Sequence, residues 1–317
     1  MTQLTDPPAA GAATGAAAAG AAAEASAVPP VGAAAPRTSE RPPRRRRGPR
    51  RWWLYLVLAA GLVAMVMPFV WMILGSFKTN AEIRQHPTNF WPIDPTLDNY
   101  AQLFGRLDFA NYFANSLIVA FFVTAGNIVF SSMVGYALAK LEFRGKRLLF
   151  GLVLATLMVP GVVTFVPLFV LTANLGLVNS YPGLILPFLI TPLGVFLMRQ
   201  FMLSLPDELI EAARIDGASE WRIFLRVIMP LCGPAVATLT ILTFLASWNN
   251  FLWPLVVATS EDKYTLPVAL ALYSVGQNAA QYGLMMAGAV VVVVPVLAVF
   301  VVLQRYFVQG IALTGIK

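Results

Sequence analysis

Charged residues are scarce in this chain of 317 residues, at 12%, against about 25% in an average soluble domain. Hydrophobic residues make up 58% of the sequence, so we expect lipid rather than water to surround most of the folded surface. A single cysteine, Cys232, excludes an internal disulfide and a cysteine-based metal cluster. A single histidine, His86, argues against histidine-ligated zinc and against a Ser-His-Asp triad.

Long uncharged runs occupy most of the chain after residue 51. A membrane-spanning helix needs about 20 predominantly apolar residues. The runs predict six spans, at residues 53–76, 113–138, 149–172, 182–202, 233–257 and 284–305. Several of them contain proline, which bundled membrane helices tolerate as kinks. The predicted fold class is therefore an all-α membrane protein with six transmembrane helices.

Residues 1–51 have a different composition from the rest of the chain. They are rich in alanine, glycine and proline up to residue 36, and eight arginines follow between Arg37 and Arg51. Such a segment has too little apolar surface to offset the entropy lost on folding. We expect residues 1–51 to form a disordered tail and residues 52–317 to form the membrane domain.

The basic residues are distributed unequally between the two sides of the predicted spans. Of the 22 lysines and arginines, 18 lie on the side of the N-terminal tail. The segments on the other side contain only Lys78, Arg84, Arg106 and Lys263. Because cytoplasmic segments carry the excess of lysine and arginine, we predict a bacterial inner-membrane protein with both termini in the cytoplasm. The net charge of +7 then reflects orientation and attraction to anionic lipid, and no nucleic-acid partner is expected.

The sequence lacks an obvious source of energy for transport. The predicted spans have no charged residue at their middle, whereas proton- and voltage-driven proteins need such groups. There is also no G-x-x-x-x-G-K-[ST] motif for binding ATP. We therefore expect no cofactor and no catalysis on this chain, with energy arriving from a partner. A sodium-coupled carrier or channel that works alone is the alternative, and the absence of catalytic clusters disfavours an intramembrane enzyme.

Residues 204–230 form a charged stretch between the fourth and fifth predicted spans, on the cytoplasmic side. Ser204 and Asp207 have the spacing of a helix start, and Gly217 can adopt the left-handed conformation that ends a helix. Ser219 can then cap a second helix. That helix has one predicted apolar face, made of Trp221, Phe224, Leu225 and Ile228. The stretch is typical either of a projection that docks in a groove of another protein or of an amphipathic loop that lies on lipid.

The stretch "EAARIDGASEWRIFLRVIMP" resembles the EAA loop of binding-protein-dependent ABC importer permeases. The family pattern is E-A-A, three residues, Gly, nine residues and I-x-L-P, and its matching residues here are Glu211, Ala212, Ala213, Gly217 and Pro230. Val227 and Met229 replace the family's Ile and Leu. Further similarity to the carbohydrate-uptake branch, the maltose-transporter type, lies in "NSLIVA" (115–120), "SWNNFLWPLV" (247–256) and "YFVQGIALTGIK" (306–317). The resemblance is firmest over residues 111–305.

The resemblance implies a type I ABC importer permease fold and an assembly with several partners. These are a second, usually different, permease subunit, two cytoplasmic ATPase subunits that bind the ATP, and a sugar-binding protein outside the cell. The EAA loop would dock as a coupling helix in a cleft of an ATPase, with Glu211 facing a basic residue there. Ala212 and Ala213 would allow close approach, and Gly217 would make the corner. Asp216 and Pro230 are also expected among the coupling residues, and the C-terminal "QGIALTGIK" could contact the ATPases as well.

The fifth predicted span carries polar residues that offer a weaker indication of a sugar path. Ser247, Trp248, Asn249 and Asn250 could hydrogen-bond or stack on a sugar. Thr240 and Thr243, on the same helix face, are more typical of helix packing. The stripe of small residues in the second span is also interpreted as a packing seam: Ser116, Ala120, Thr124, Asn127, Ser131 and Gly135.

Overall fold

The structure is a computed structural model that describes residues 52–106, 108–273 and 281–314. The predicted disordered tail, residues 1–51, lies outside the described residues, as do the side chains of 305–317 and with them the predicted C-terminal contact. The chain divides into two units at Trp53, and the packing of the described residues belongs to the second, Leu54–Lys317.

The described residues form helices and loops and contain no strand. Short 3-10 turns lie at Leu186–Phe188 and Glu261–Lys263, and a π-helical turn lies at Phe224–Ile228. In chain order the α-helices are α1 Trp52–Ser76, α2 Asn80–Gln85, α3 Asp98–Arg106, α4 Phe109–Lys140, α5 Lys146–Met158, α6 Gly161–Asn174, α7 Tyr181–Ile185, α8 Pro192–Leu203, α9 Glu208–Ile215, α10 Glu220–Ile223, α11 Met229–Leu231, α12 Gly233–Trp248, α13 Leu252–Val257, α14 Leu266–Tyr273 and α15 Tyr282–Thr314.

Three helices and three bent pairs of helices are long and apolar enough to cross a membrane. The straight spans are α1, α4 and the part of α15 up to Gln304. The bent pairs are α5 with α6 at 102°, Tyr181–Phe188 with α8 at 42°, and Glu220–Leu231 with α12 at 80°. The described residues thus agree with up to six spans, half of which are bent pairs of helices.

Pro160 explains the break in the third predicted span. The residue lies between α5 and α6 as the N-cap of the second helix. Proline has no N–H to donate to the carbonyl four residues earlier, and its ring clashes with that carbonyl. The amide of Val159 instead donates to Thr156 in a tighter turn, and the chain bends by 102°. The predicted span at 149–172 therefore corresponds to two helices that meet at a sharp bend, whereas Pro68, Pro167 and Pro295 lie inside helices.

Helix α4 packs against α8 and α12 and forms the centre of the fold. The predicted seam of small residues is confirmed, since all six of its members are buried. A Cβ on Gly135 would lie 2.9 Å from the Cβ of Met198, and a Cβ on Gly194 would lie 2.5 Å from the Asn127 side-chain oxygen. Because small residues let helix backbones approach closely, this seam sets the distance between α4 and α8.

Candidate functional site

The stretch 204–230 folds as two short helices with a corner at Gly217. Gly217 has φ +75°, a left-handed conformation in which a non-glycine residue is strained. The amide of Gly217 donates to the Arg214 carbonyl, and the amide of Ala218 donates to that of Ala213. These bonds satisfy the last carbonyls of α9, so the predicted glycine corner is confirmed.

The first helix starts later than the sequence predicts. Asp207, not Ser204, is the N-cap of α9, and its side chain makes no capping hydrogen bond. The Ser204 hydroxyl donates to the Phe201 carbonyl, so Ser204 ends α8 instead. The S-x-x-D spacing allows either Ser204 or Asp207 to begin α9. The choice depends on where α8 ends, and Ser204 is the C-cap of α8.

Apolar side chains on the inner side of the hairpin, residues 204–230, hold it against α4 and α8. Ile210, Ile223, Phe224 and Ile228 are buried in one cluster with Tyr136, Met198 and Met202. Burying a side chain of this size stabilises a fold by about 1.5–3 kcal/mol. The hairpin is therefore part of the folded core at its inner side, rather than a loop lying loosely on lipid.

Two polar contacts fix the hairpin to the end of α4. The Tyr136 hydroxyl donates to Glu220 at 2.8 Å, and Arg214 also donates to Glu220 at 2.8 Å. The hydrogen bond from Arg214 holds the pKa of the Glu220 carboxyl below its ordinary value. Glu220 is therefore ionised at neutral pH and joins both helices of the hairpin to α4.

Lys140 makes the second polar contact. Its side chain is only 3% exposed, and its ammonium group donates to the Leu205 carbonyl and to Asp207, each at 2.6 Å. The hydrogen bond from Lys140 lowers the pKa of the Asp207 carboxyl. The anchoring roles of Tyr136, Lys140 and Glu220 were not predicted from the sequence. Tyr136 and Lys140, four residues apart at the C-terminal end of α4, were the available signal.

The outer side of the hairpin is left uncovered. Glu211, Ala212, Asp216 and Gly217 are exposed around the corner, and Ala213 is half-buried. Apolar side chains accompany them, with Ile215 86% exposed. The hairpin thus presents a surface of charged and apolar side chains, in which the arginines Arg214, Arg222 and Arg226 are exposed as well. Pro230 is exposed too but lies at the other end, beside the bend into α12.

The prediction that the second helix has a single apolar face is wrong. Phe224 and Ile228 are buried, but Trp221 is 60% exposed and Leu225 is 59% exposed. The cause is the π-helical turn at Phe224–Ile228, in which the Met229 amide donates to Phe224 five residues earlier. This wider turn changes the angular spacing of the side chains, and π-helical turns are frequent at functional sites.

A cavity of about 270 Å³ lies between α4, α12 and the segment 184–193. Its lining is mainly apolar, with polar groups from Thr191, Thr243, Ser247 and Asn250. Two of the four predicted path residues, Ser247 and Asn250, therefore line it, and Thr191 was missed by the sequence analysis. The T-P pair that starts α8, with Thr191 as its N-cap, was the available signal.

The other two predicted path residues lie elsewhere. Trp248 is 1% exposed, and its indole N–H donates to the Val292 carbonyl of α15 while its ring stacks on Phe244. Asn249 is exposed at the end of α12. Trp248 thus joins α12 to α15 within this chain, and neither residue lines the cavity.

The fifth predicted span, 233–257, is interrupted beside the cavity. Helix α12 ends at Trp248 and α13 begins at Leu252. Pro254 cannot donate to the carbonyl of Asn250, four residues earlier. The Asn250 side chain instead accepts a hydrogen bond from the Trp253 amide at 3.3 Å. The break thus lies before Pro254, and Asn250 supports it while lining the cavity.

Comparison with known proteins identifies the family. Residues 127–313 match the binding-protein-dependent transport system inner membrane component family. An arabinooligosaccharides transport system permease protein of Halalkalibacterium halodurans is 43% identical over 257 residues, which are 80% of this chain and 91% of that protein. A diacetylchitobiose uptake system permease protein of Streptomyces coelicolor is 38% identical over 77% of this chain and 81% of its own length.

A solved structure agrees with these sequence relatives. It is a crystal structure of a bacterial ABC transporter involved in the import of the acidic polysaccharide alginate, one chain of which is 26% identical to this protein. The likeness covers 81% of this chain and 95% of that one, with a TM-score of 0.74. Together with the six-span architecture and the hairpin, these matches show that the chain belongs to the family of binding-protein-dependent transport system inner membrane components, and that it is a membrane permease.

Proposed function

We propose that this permease is the transmembrane subunit of an ATP-binding-cassette importer that moves a sugar or oligosaccharide into the cytoplasm. The observation that carries the proposal is the hairpin, whose inner side is anchored in the core and whose charged outer side is uncovered. The class of substrate is supported by the relatives, which are named for arabinooligosaccharides and diacetylchitobiose, and by the structure of an alginate importer.

The hairpin is the coupling element in this proposal. Two cytoplasmic ATPase subunits bind the ATP, and one of them receives the corner formed by Glu211, Ala212, Ala213, Asp216 and Gly217. The apolar side chains beside the corner suit burial in a groove. Because Glu220 and Lys140 fix the hairpin to α4, a displacement of the corner moves α4 with it. Helix α4 also lines the 270 Å³ cavity, through Val119 and Val123.

The cavity is the proposed part of the sugar path on this subunit. The Ser247 hydroxyl and the Asn250 amide can hydrogen-bond a sugar, and the apolar lining suits its C–H faces. A second permease subunit completes the pathway, and an extracytoplasmic binding protein delivers the sugar. The exposed apolar side chains along α1 and α6 suit contact with lipid or with that second subunit.

The test of substrate class is uptake of radiolabelled oligosaccharides by cells in which the gene has been deleted and then restored. We expect uptake of one or a few sugars to disappear and to return on complementation. Unchanged uptake across a broad panel of sugars would contradict the proposed substrate class.

The test of coupling is Glu211→Lys in the assembled importer. Reversing the charge at the exposed corner should abolish uptake and the stimulation of ATP hydrolysis by the binding protein, while the protein still inserts in the membrane in normal amounts. Normal uptake by this variant would contradict the docking role. Accumulation of sugar in vesicles by the purified chain alone, without nucleotide, would instead support a carrier that works by itself.

A further inference from the structure

A second cavity, of about 550 Å³, opens between the start of α5 and the end of α8. Its charged lining consists of three bases, Lys146, Arg147 and Arg199, and one acid, Glu142. It shares no lining residue with the sugar cavity or with the hairpin. Neither of those proposed sites explains why three positive charges should gather here.

Two of the bases, Lys146 and Arg199, are held in place by contacts that leave their charges unpaired, and Arg147 is exposed beside them. Arg199 donates from Nε to the Leu138 carbonyl at 3.2 Å, and its guanidinium carbon lies 3.7 Å from the centre of the Phe150 ring. Lys146 donates to the carbonyls of Ala139 and Leu141. Within the described ranges none of the three bases pairs with a carboxylate, and the two Nη groups of Arg199 have no acceptor. With three bases and one acid, the cavity therefore carries an excess of positive charge and can bind an anion.

The sequence places this cavity at a membrane surface. No charged residue occurs between Arg147 and Arg199, an interval that contains the third and fourth predicted spans. The chain thus leaves the surface at Arg147 and returns to it at Arg199, and folding brings the two arginines into one cavity. On the predicted orientation this is the cytoplasmic surface, the leaflet in which anionic lipids are concentrated.

The surroundings favour a lipid over a free anion. Phe143 is exposed beside the bases, and large apolar side chains continue along α5 from the mouth of the cavity. Leu148 is 70% exposed, Leu149 48% and Leu152 54%. An acyl chain can lie along these leucines while its phosphate occupies the cavity. Basic pockets between membrane helices on the cytoplasmic side are known to bind phosphate headgroups in this way.

We propose that this cavity binds the phosphate headgroup of an anionic phospholipid, with Lys146, Arg147 and Arg199 as the recognition residues. Lys146, at the start of α5, and Arg199, near the end of α8, both donate to carbonyls at the C-terminal end of α4. An occupied site therefore ties the lipid to the same end of the bundle that carries the hairpin.

The proposal is tested by native mass spectrometry of the purified importer complex with phosphatidylglycerol or phosphatidylcholine added. We expect phosphatidylglycerol to bind more tightly to the wild-type complex. Each lysine or arginine near a membrane surface contributes enough to change affinity about fivefold, so Arg147→Gln should weaken binding about fivefold and Arg147→Gln with Arg199→Gln about 25-fold. Arg199→Lys keeps the charge and should retain most of the binding. Its comparison with the glutamine variants separates the loss of charge from a loss of folding.

The matched control is Arg226→Gln, which removes an exposed cytoplasmic charge outside the cavity and should leave phosphatidylglycerol binding unchanged. Equal binding of the two lipids, or an equal loss in Arg226→Gln, would overturn the proposal. A third arm adds inorganic phosphate at millimolar concentration. Its failure to displace phosphatidylglycerol supports a lipid site, whereas complete displacement would assign the cavity to a soluble anion instead.

Discussion

Tyr136 and Glu220 show how single residues connect the hairpin to the bundle. They are 84 positions apart, yet the Tyr136 hydroxyl donates directly to the Glu220 carboxylate. A hydrogen bond to a charged group contributes about 1.5–3 kcal/mol. Here that contribution acts on the joint between the proposed coupling element and α4.

Tyr136→Phe should therefore weaken coupling more than it weakens folding. The variant keeps the ring that packs on Phe224 and loses only the hydroxyl. We expect less sugar transported per ATP hydrolysed by the reconstituted importer, with thermal stability within a few degrees of the wild type. Tyr55→Phe is the matched control, since Tyr55 is exposed on α1. An unchanged ratio of sugar to ATP in Tyr136→Phe would count against this joint.

Gly217 allows a separate test of the corner. Nothing lies within 4 Å of a Cβ built there, so a substitution acts only through the backbone. A non-glycine residue in the left-handed conformation costs about 1–2 kcal/mol, and asparagine tolerates it better than most. Gly217→Val should reduce the amount of ATPase that co-purifies with the permease, while Gly217→Asn should behave much like the wild type. Equal recovery of ATPase with both variants would mean that the corner does not need this conformation.

The two contacts differ in how far the sequence predicts them. The corner at Gly217 is predictable because the end of a helix often needs a left-handed residue, and glycine is the residue that adopts this conformation without strain. The partner of Glu220 is not predictable in the same way. It depends on α4 lying beside the hairpin, and no local pattern specifies which tyrosine is near.

Among the helices, the seam between α4 and α8 is the contact most sensitive to volume. A Cβ on Gly194 would lie 2.5 Å from the Asn127 side-chain oxygen and 2.6 Å from the Ser131 hydroxyl. Overpacking a well-packed site costs about 1–3 kcal/mol, so Gly194→Ala should lower the melting temperature of the purified protein. Gly151→Ala provides the control, because a Cβ there has no neighbour within 4 Å. A melting temperature that falls equally in both variants would contradict the importance of the seam.

The sequence predicts the helices better than their interruptions. The straight spans α1 and α4 follow from long apolar runs, and the stripe of small residues in α4 predicts a seam that the structure confirms. Prolines do not all have the same effect on these helices, however. Pro68 and Pro295 stay inside helices, whereas Pro160 separates two helices at 102°. Whether a proline kinks or ends a helix depends on what packs around it, which the sequence alone does not specify.

For the whole molecule, every proposal depends on which side of the membrane the hairpin occupies. The bias of 18 basic residues to 4 predicts the cytoplasmic side, where ATPases and anionic lipids are both available. Cys232 makes this orientation simple to test, because it is the only cysteine of the chain and is fully buried. The wild-type protein should therefore not react with a thiol reagent.

Single cysteines introduced at exposed positions then show on which side of the membrane each position lies. Thr259→Cys lies in the loop after α13, and Ser204→Cys lies at the start of the hairpin, both exposed. We expect a membrane-impermeant maleimide to label Thr259→Cys in intact spheroplasts and to label Ser204→Cys only after the membrane is opened. The opposite pattern would place the hairpin outside the cell. An ATPase could not reach it there, and the coupling and lipid proposals would fail together, although membership of the permease family would stand.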